Sequence, residues 1–259
     1  MEPIISIRNL SKNYGPKIVL QDINLEIYPG QVIGYIGPNG AGKSTTVKIL
    51  CGLLTDYQGT VTVNGLDVKQ NTLEVKRQIG YIPELAELYD VLTPHEYLNF
   101  TGALYGLDQA ICNERILKMM TAFGLEANLH QRMDTFSKGM RQKVLIASGL
   151  LHNPGIIILD EPLSGLDANS VIVMKELISR LAKDGKTIFY CSHMMDVVEK
   201  VSDRIVLING GRIVADGSFD QLKQQEGNKS LEQIFASLTA TDSLSATAED
   251  LAKAMESRL

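Results

Sequence analysis

The segment Gly37–Ser44 has the residue types and the spacing of a phosphate-binding loop, G-x-x-x-x-G-K-[ST]. It follows the apolar run Val32–Ile36 and precedes a helical pattern that extends from Ser44 to Leu54. Glycines allow such a loop to curl, so that its backbone amides and the helix N-terminus face a phosphate group. A glycine-rich turn that happens to contain a lysine is the alternative. The predicted phosphate-binding residues are Gly37, Pro38, Asn39, Gly40, Ala41, Gly42, Lys43, Ser44 and Thr45.

Two side chains of this loop could do chemistry themselves. We expect Lys43 to reach the β- and γ-phosphates of a nucleoside triphosphate and to take part in catalysis. We expect the hydroxyl of Ser44 to bind Mg²⁺. The loop alone predicts that a nucleoside triphosphate and Mg²⁺ bind here, and it leaves the reaction open.

Two carboxylates follow a second apolar run. Ile156–Leu159 reads as a buried strand, and it ends in Asp160 and Glu161. Ligands of open α/β sheets bind beyond the carboxyl ends of the strands. Asp160 is therefore predicted to hold Mg²⁺ through water, and Glu161 to polarise or deprotonate an attacking water molecule. Solvated acids at a strand end are the alternative interpretation.

The elements that must position these residues form an α/β pattern. Apolar runs at 32–36, 156–159, 187–191 and 204–208 alternate with helical periodicity, which favours a parallel sheet with right-handed crossovers. The mainly helical stretch from Leu85 to Asn153 is predicted to be inserted into this core. Asn209–Gly211 is a hairpin signal, and the chain beyond it, to Leu259, is predicted to be helical and polar.

Composition excludes several classes of protein. The 259 residues carry a net charge of −5, so a protein that neutralises nucleic-acid phosphate is not expected. We expect no signal peptide at the N-terminus, and the apolar runs are shorter than the ~20 residues that span a bilayer. The three cysteines, Cys51, Cys112 and Cys191, are far apart in sequence, which fits a reducing compartment and gives no zinc framework.

An ordered series of motifs resembles the nucleotide-binding subunit of ABC transporters. The series is Phe136–Lys143, then Asp160–Pro162, then Ser164–Asp167, then Ser192-His193, and the similarity runs from about Ile4 to Gly217. The resemblance implies a P-loop NTPase core of class α/β with an N-terminal antiparallel β subdomain and an inserted helical subdomain. It also implies an ATP-binding domain at 1–217, with 84–153 as the insertion, and a C-terminal helical tail at 218–259.

The resemblance further implies that two subunits sandwich two ATP molecules. Ser137 and the amide of Gly139 would then contact the γ-phosphate that the other subunit binds, and Asp167 would contact that subunit. His193 matches the histidine that touches the γ-phosphate and orients the nucleophile. Tyr14 is placed like the aromatic that stacks on adenine, although it could equally be a core tyrosine.

The signature motif departs from the usual leucine-serine-glycine-glycine-glutamine at Phe136, Lys138 and Met140. The basic residues Lys138, Arg141 and Lys143 could add positive potential there, but a solvated basic helix face is the expected interpretation. A second departure is Glu84, where the family usually has glutamine. A carboxylate can ligate Mg²⁺ but has no N–H to donate when ionised, so Glu84 is a hypothetical metal ligand.

Partners follow from the resemblance. It implies a separate transmembrane permease subunit, with Ala86–Thr93 as part of the docking surface, and a second ATP-binding subunit that is identical or a close paralogue. Ser230–Thr239 looks like the end of export-type subunits. We expect no nucleic-acid partner and a cytoplasmic protein attached to the inner face of the membrane through the permease.

Two rival functions stay open at this stage. One is a soluble ATPase of the same superfamily that acts on DNA or ribosomes. The other is a nucleotide kinase or a GTPase, against which the missing Asn-Lys-x-Asp motif counts. The apolar spacing of Leu251, Met255 and Leu259 predicts either a short docking or dimer-capping helix or a frayed terminus.

Overall fold

The computed structural model describes residues 2–85 and 87–239. In chain order, its strands are β1 (Ile5–Tyr14), β2 (Lys17–Ile27), β3 (Val32–Ile36), β4 (Gln58–Val63), β5 (Leu66–Asp67), β6 (Ile79–Ile82), β7 (Ile156–Asp160), β8 (Thr187–Cys191), β9 (Arg204–Asn209) and β10 (Arg212–Gly217). Its helices are α1 (Lys43–Leu50), α2 (Thr72–Gln78), α3 (Pro94–Leu104), α4 (Gln109–Ala122), α5 (Lys138–Leu150), α6 (Ala168–Lys183), α7 (Met195–Val201), α8 (Phe219–Gln225) and α9 (Leu231–Thr239).

The strands form two sheets. A four-stranded sheet has the order β2-β1-β4-β5, and each of its pairs is antiparallel. A six-stranded sheet has the order β10-β9-β3-β8-β7-β6, in which only the β9–β10 pair is antiparallel. Every residue of β3, β7 and β8 is buried, as expected for parallel strands covered on both faces. The predicted α/β class with an antiparallel β subdomain is confirmed.

The sequence prediction was wrong just after the Asn209–Gly211 turn. Arg212–Gly217 forms β10 rather than helix, and it pairs with β9 as the hairpin signal requires. Its side chains are half-buried at alternate positions, so its apolar pattern is short and weak. The helical tail begins only at α8.

The helices α3, α4 and α5 form the insertion and have a core of their own. Leu98, Ile116 and Val144, one from each helix, are buried together there. Thr93 caps α3 in a reciprocal capping box with Glu96. Ser137 caps α5 by accepting a hydrogen bond from the amide of Met140 at 3.3 Å. The start of α5 is therefore fixed by local sequence.

The last described helices pack on the edge of the parallel sheet. Leu222 of α8 and Leu231 and Ile234 of α9 are buried in the same core as β9. The predicted apolar stripe Leu251, Met255 and Leu259 lies outside the described residues, and the boundary between 1–217 and 218–259 stays a prediction. No helix within residues 2–85 and 87–239 is long and apolar enough to cross a membrane.

Candidate nucleotide-binding site

A pocket of about 770 Å³ opens at the carboxyl ends of β3 and β7. It brings together the phosphate loop, the two carboxylates at the end of β7, Glu84 and His193, which lie far apart in sequence. Lys17 and Val19, which the sequence analysis missed, also line it. Its lining residues are Tyr14, Lys17, Val19, Asn39, Gly40, Gly42, Lys43, Ser44, Thr45, Glu84, Asp160, Glu161 and His193.

The glycines of the phosphate loop meet two different requirements. Gly42 has a φ of +110°, and a Cβ placed on it would lie 2.5 Å from Leu20 Cδ2. Gly37 has no such φ, but a Cβ there would lie 2.3 Å from the carbonyl oxygen of Ile208. Position 42 therefore needs glycine for its left-handed backbone and for the close approach of Leu20. Position 37 needs glycine only for the close approach of Ile208.

The start of α1 has features that favour an anion. Gly42 caps α1 without a side-chain hydrogen bond, and the first turn of α1 contains no acidic residue. The Lys43 ammonium donates to the carbonyl oxygens of Gly37 at 2.7 Å and Pro38 at 3.2 Å, both of which are neutral acceptors. A helix N-terminus with a lysine beside it is an anion-binding arrangement.

Asp160 is a buried carboxyl whose ionised form is disfavoured. It is only 4% exposed. Burial first, and then the charges of Glu161 and Glu84, raise its pKa to about 6, while Ser44 and Lys43 act in the opposite direction. A cation placed beside Asp160 would stabilise its ionised form.

Glu161 is held in place by the loop after β8. Its Oε2 lies 2.9 Å from Nδ1 of His193 and accepts hydrogen bonds from the Ser192 hydroxyl at 3.3 Å and the His193 amide at 3.4 Å. Its own amide donates to the carbonyl of Cys191 at 3.0 Å, which supports a left-handed φ of 49°. Strained backbone at a non-glycine residue is typical of functional sites.

The donor set suits a hard cation. Asp160, Glu84 and the Ser44 hydroxyl provide oxygen ligands, which Mg²⁺ prefers. Within the described part of the chain, no group of three His, Cys, Asp or Glu side chains is placed to hold a metal alone. Mg²⁺ commonly keeps several waters and binds through one or two carboxylates plus substrate phosphates, so these residues fit Mg²⁺ that arrives with a nucleotide.

Tyr14 is not a core residue. It is 48% exposed and lines the pocket, so the alternative of a core tyrosine is wrong. The Lys12 ammonium lies 4.9 Å from the centre of its ring and is bound to Asp56 at 2.8 Å. Sequence reasoning missed Lys12, because nothing in a one-dimensional pattern distinguishes this lysine from a solvated one.

The structure places Ser137, Gly139 and Asp167 apart from the pocket, since none of them lines it. They lie at the N-termini of two helices: Ser137 caps α5, Gly139 is in its first turn, and Asp167 caps α6. Asp167 accepts from the Ser170 hydroxyl at 2.6 Å and the Ser170 amide at 3.0 Å, and these bonds lower its pKa to about 2. Asp167 therefore stays ionised at neutral pH.

The expectation of a solvated basic face on α5 holds for Lys138, which is exposed, and is wrong for Arg141 and Lys143. Arg141 forms an ion pair with Asp90, and its side chain is 22% exposed. Lys143 Nζ lies 3.8 Å from Oδ2 of Asp167, and its side chain is 19% exposed. Lys138 donates to the hydroxyl of Ser164 at 3.0 Å. All three side chains therefore connect α5 to neighbouring loops.

A parallel sheet with a phosphate loop after β3, acids at the end of β7 and a helical insertion defines a P-loop nucleotide-binding protein. More narrowly, the chain belongs to the ABC transporter family of ATP-binding proteins, because the family described as ABC transporter matches residues 20–164. The chain is 39% identical over 219 residues to the ABC transporter ATP-binding protein NatA of Bacillus subtilis (strain 168), which covers 84% of this chain and 89% of NatA.

Solved structures agree with this assignment. A structure of the ATP-binding subunit of an ABC transporter aligns with a TM-score of 0.86 and 33% identity, covering 92% of this chain and 100% of that one. A dimeric ATP-binding cassette in a post-hydrolysis state, bound to ADP and Pi, aligns with a TM-score of 0.76 and 25% identity, covering 83% of this chain and 98% of that one. Nucleotide binding and ATPase activity are thereby supported.

Proposed function

We propose that this protein is the ATP-binding and hydrolysing subunit of an ABC transporter, in which closure and reopening of an ATPase dimer move a substrate through a separate membrane subunit. One observation carries this proposal. The phosphate loop, Asp160, Glu161 and His193 share one pocket, whereas Ser137 and Gly139 lie outside it. We infer that a single chain contributes two half-sites, the pocket and the start of α5.

ATP is the proposed substrate of the pocket. Tyr14 has an exposed ring on which adenine would stack, and the loop amides would face the triphosphate. Lys43 would exchange the neutral carbonyls of Gly37 and Pro38 for the charged β- and γ-phosphates. Charge-assisted hydrogen bonds are stronger than neutral ones, which favours this exchange.

Mg²⁺ is the proposed cofactor, held by Ser44, by Asp160 through water, and by Glu84. When bound, it would neutralise charge on the phosphate oxygens. The chain's own part is proton handling and positioning. Glu161 would accept the proton of the attacking water, while His193, within 2.9 Å of its carboxylate, would orient that water and touch the γ-phosphate.

The second half-site would act in a dimer. We propose that Ser137 and the Gly139 amide contact the γ-phosphate bound by the other subunit, and that Asp167 contacts that subunit. The start of α5 has no acidic residue in its first turn, which suits an anion. Positioning and charge stabilisation supply most of the catalysis of phosphoryl transfer, so an isolated subunit should turn over slowly.

The insertion provides the proposed permease contact. Large apolar side chains are exposed along the segment after Glu84 and on α3, and the Tyr89 ring stands edge-on to Phe100 at 6.5 Å. A contiguous exposed apolar patch marks a protein interaction site. Ala86, which belongs to the predicted docking segment, lies outside the described residues. We propose that the exposed side chains of Leu85, Tyr89, Val91, Phe100 and Leu104 form this patch.

Through this patch the protein would attach to the inner face of the membrane. We extend the proposal to an export-type system on the resemblance of Ser230–Thr239. Leu231–Thr239 of this segment forms α9, which packs on α7 and β9.

Three variants and one pull-down test the proposal. Glu161→Gln should bind ATP, nearly stop turnover and accumulate an ATP-held dimer, whereas Lys43→Ala should weaken ATP binding. Glu199→Gln is the matched control, because Glu199 is exposed and does not line the pocket. Purification from solubilised membranes should recover a polytopic membrane protein. Recovery with ribosomes or DNA alone, or normal turnover by Glu161→Gln, would overturn the proposal.

A further inference from the structure

Lys138 stands where the usual signature motif has glycine, and its side chain lies across a neighbouring loop. Its ammonium donates to the Ser164 hydroxyl at 3.0 Å. Its methylenes cover Gly165, since a Cβ built on that glycine would lie 2.8–2.9 Å from the Lys138 side-chain carbons. Gly165 has a φ of +79°, so the covered residue is also one that only glycine adopts easily.

Three more contacts join the same two segments. The Gln142 amide, on a buried side chain, donates to the carbonyl of Pro162 at 3.1 Å, and Lys143 lies 3.8 Å from Asp167. A Cβ built on Gly139 would be 2.9 Å from the carbonyl oxygen of Gly165. The first two turns of α5 and the loop 162–167 are therefore packed together, with no room for a larger residue at Gly139.

Lys138 differs from its basic neighbours because no carboxylate lies close to its ammonium in the described residues. Arg141 and Lys143 face carboxylates, whereas Lys138 forms no ion pair in the part of the chain that the structure describes. Its link to the loop consists of one hydrogen bond to a neutral hydroxyl and the packing of its methylenes. A methionine at this position would keep the packing and remove the hydrogen bond.

We propose that Lys138 is a positioning residue, which holds the loop 162–167 against the N-terminus of α5. This inference rests on the proposed function, in which Ser137 and Gly139 bind the other subunit's γ-phosphate and Asp167 contacts that subunit. Lys138 joins these groups into one rigid unit before the dimer closes. Preorganisation of this kind lowers the entropic cost of association.

Two readouts test Lys138. The first uses the Glu161→Gln protein and measures its ATP-driven dimerisation by analytical ultracentrifugation. Lys138→Met and Ser164→Ala should each raise the dimer dissociation constant about two- to tenfold, the usual worth of one hydrogen bond. The dimer dissociation constant of the double variant should be no higher than that of the more affected single variant, because the two residues act through one contact. Lys138→Arg should stay within about twofold of the parent. ATP affinity of the monomer should not change.

The second readout needs no dimer. Hydrogen exchange of the isolated subunit reports on the loop directly, and peptides spanning 162–167 should exchange about two- to tenfold faster in both Lys138→Met and Ser164→Ala. Peptides from the insertion core around Ile116 should be unchanged, which separates local loosening from loss of the fold.

The outcomes separate three cases. If Lys138→Met weakens the dimer while Ser164→Ala does not, Lys138 acts through its charge on an anion, and the positioning role is wrong. Additive single effects, or unchanged exchange in the loop, would also overturn it. If the Glu161→Gln parent forms no dimer with ATP while exchange in the loop responds as expected, the proposed function fails and the contact itself stands.

Discussion

Replacing Asp160 with asparagine should stabilise the isolated protein at neutral pH and abolish its ATPase activity. Burial, followed by the charges of Glu161 and Glu84, raises the pKa of Asp160 from 3.8 to about 6. The carboxyl therefore holds its proton more tightly in the folded protein than in the unfolded chain. Ionised Asp160 costs stability, and asparagine has no charge to desolvate.

The sign and size of this effect depend on pH. Well below pH 3.8 both states are protonated, and the raised pKa has no effect on the free energy of unfolding. Between that pH and about 6 the unfolded chain releases its proton first, so the folded state is progressively disfavoured. Above that range the full cost applies, about 3 kcal/mol from the separation of the two pKa values. Because Asp160 borders an open pocket, screening by solvent reduces this to about 2 kcal/mol.

The assay is denaturant unfolding of the wild-type protein and Asp160→Asn, without nucleotide or metal. At pH 8 we expect Asp160→Asn to be more stable by about 2 kcal/mol, or by about 4–8 °C in Tm for a chain of this size. At pH 4.5 the gain should shrink to less than about 1 kcal/mol. Glu199→Gln, which removes an exposed charge, should change neither value. An equal gain at both pH values, or none at pH 8, would refute the electrostatic argument.

Three other predictions concern separate parts of the molecule. Glu84→Gln should raise the Mg²⁺ concentration for half-maximal ATPase activity about fivefold, the effect of about 1 kcal/mol for one charge that acts on the cation through water; unchanged Mg²⁺ dependence would show that its charge is irrelevant. Asp90→Arg and Arg141→Asp should each lower the free energy of unfolding by about 1 kcal/mol, and the double reversal should recover at least half of the loss; additive losses would argue against their ion pair. Ile116→Ala should cost about 2–5 kcal/mol in denaturant unfolding because it leaves a cavity in the insertion core. Ile111→Ala, at an exposed position of the same helix, should stay within about 0.5 kcal/mol; equal losses at both positions would contradict the assigned core.

Sequence reasoning correctly predicted the local geometry around Gly37–Ser44, a loop between a buried strand and a helix, while the function of the loop stays a prediction. A phosphate loop needs a buried strand, glycines and a helix start in immediate succession, so Gly37–Ser44 was identifiable from one stretch of chain. The position of Asp160 followed from a general property of parallel sheets, whose ligands bind beyond the carboxyl ends of the strands. That the two segments share one pocket is a consequence of strand order, with β3 and β7 both adjacent to β8.

Sequence reasoning failed where a residue's role depends on a distant neighbour. Lys138, Arg141 and Lys143 have the spacing of a solvated helix face, and only the fold brings Ser164, Asp90 and Asp167 within their reach. The same limit hid β10, since an edge strand with half-buried alternate positions has little apolar signal until its partner β9 is known.

The carboxylates of the pocket give the clearest link between stability and function in this protein. Glu84, Asp160 and Glu161 converge on a site whose phosphate loop supplies one lysine, and burial, followed by the charges of Glu161 and Glu84, raises the pKa of Asp160. We expect such a site to bind a triphosphate that brings a divalent cation better than a bare triphosphate, because like charges repel. The destabilising charge and the proposed preference for Mg²⁺ therefore have the same origin. A variant that removes the destabilising charge should therefore also lose the preference for Mg²⁺, as expected where an active site is kept at a cost in stability.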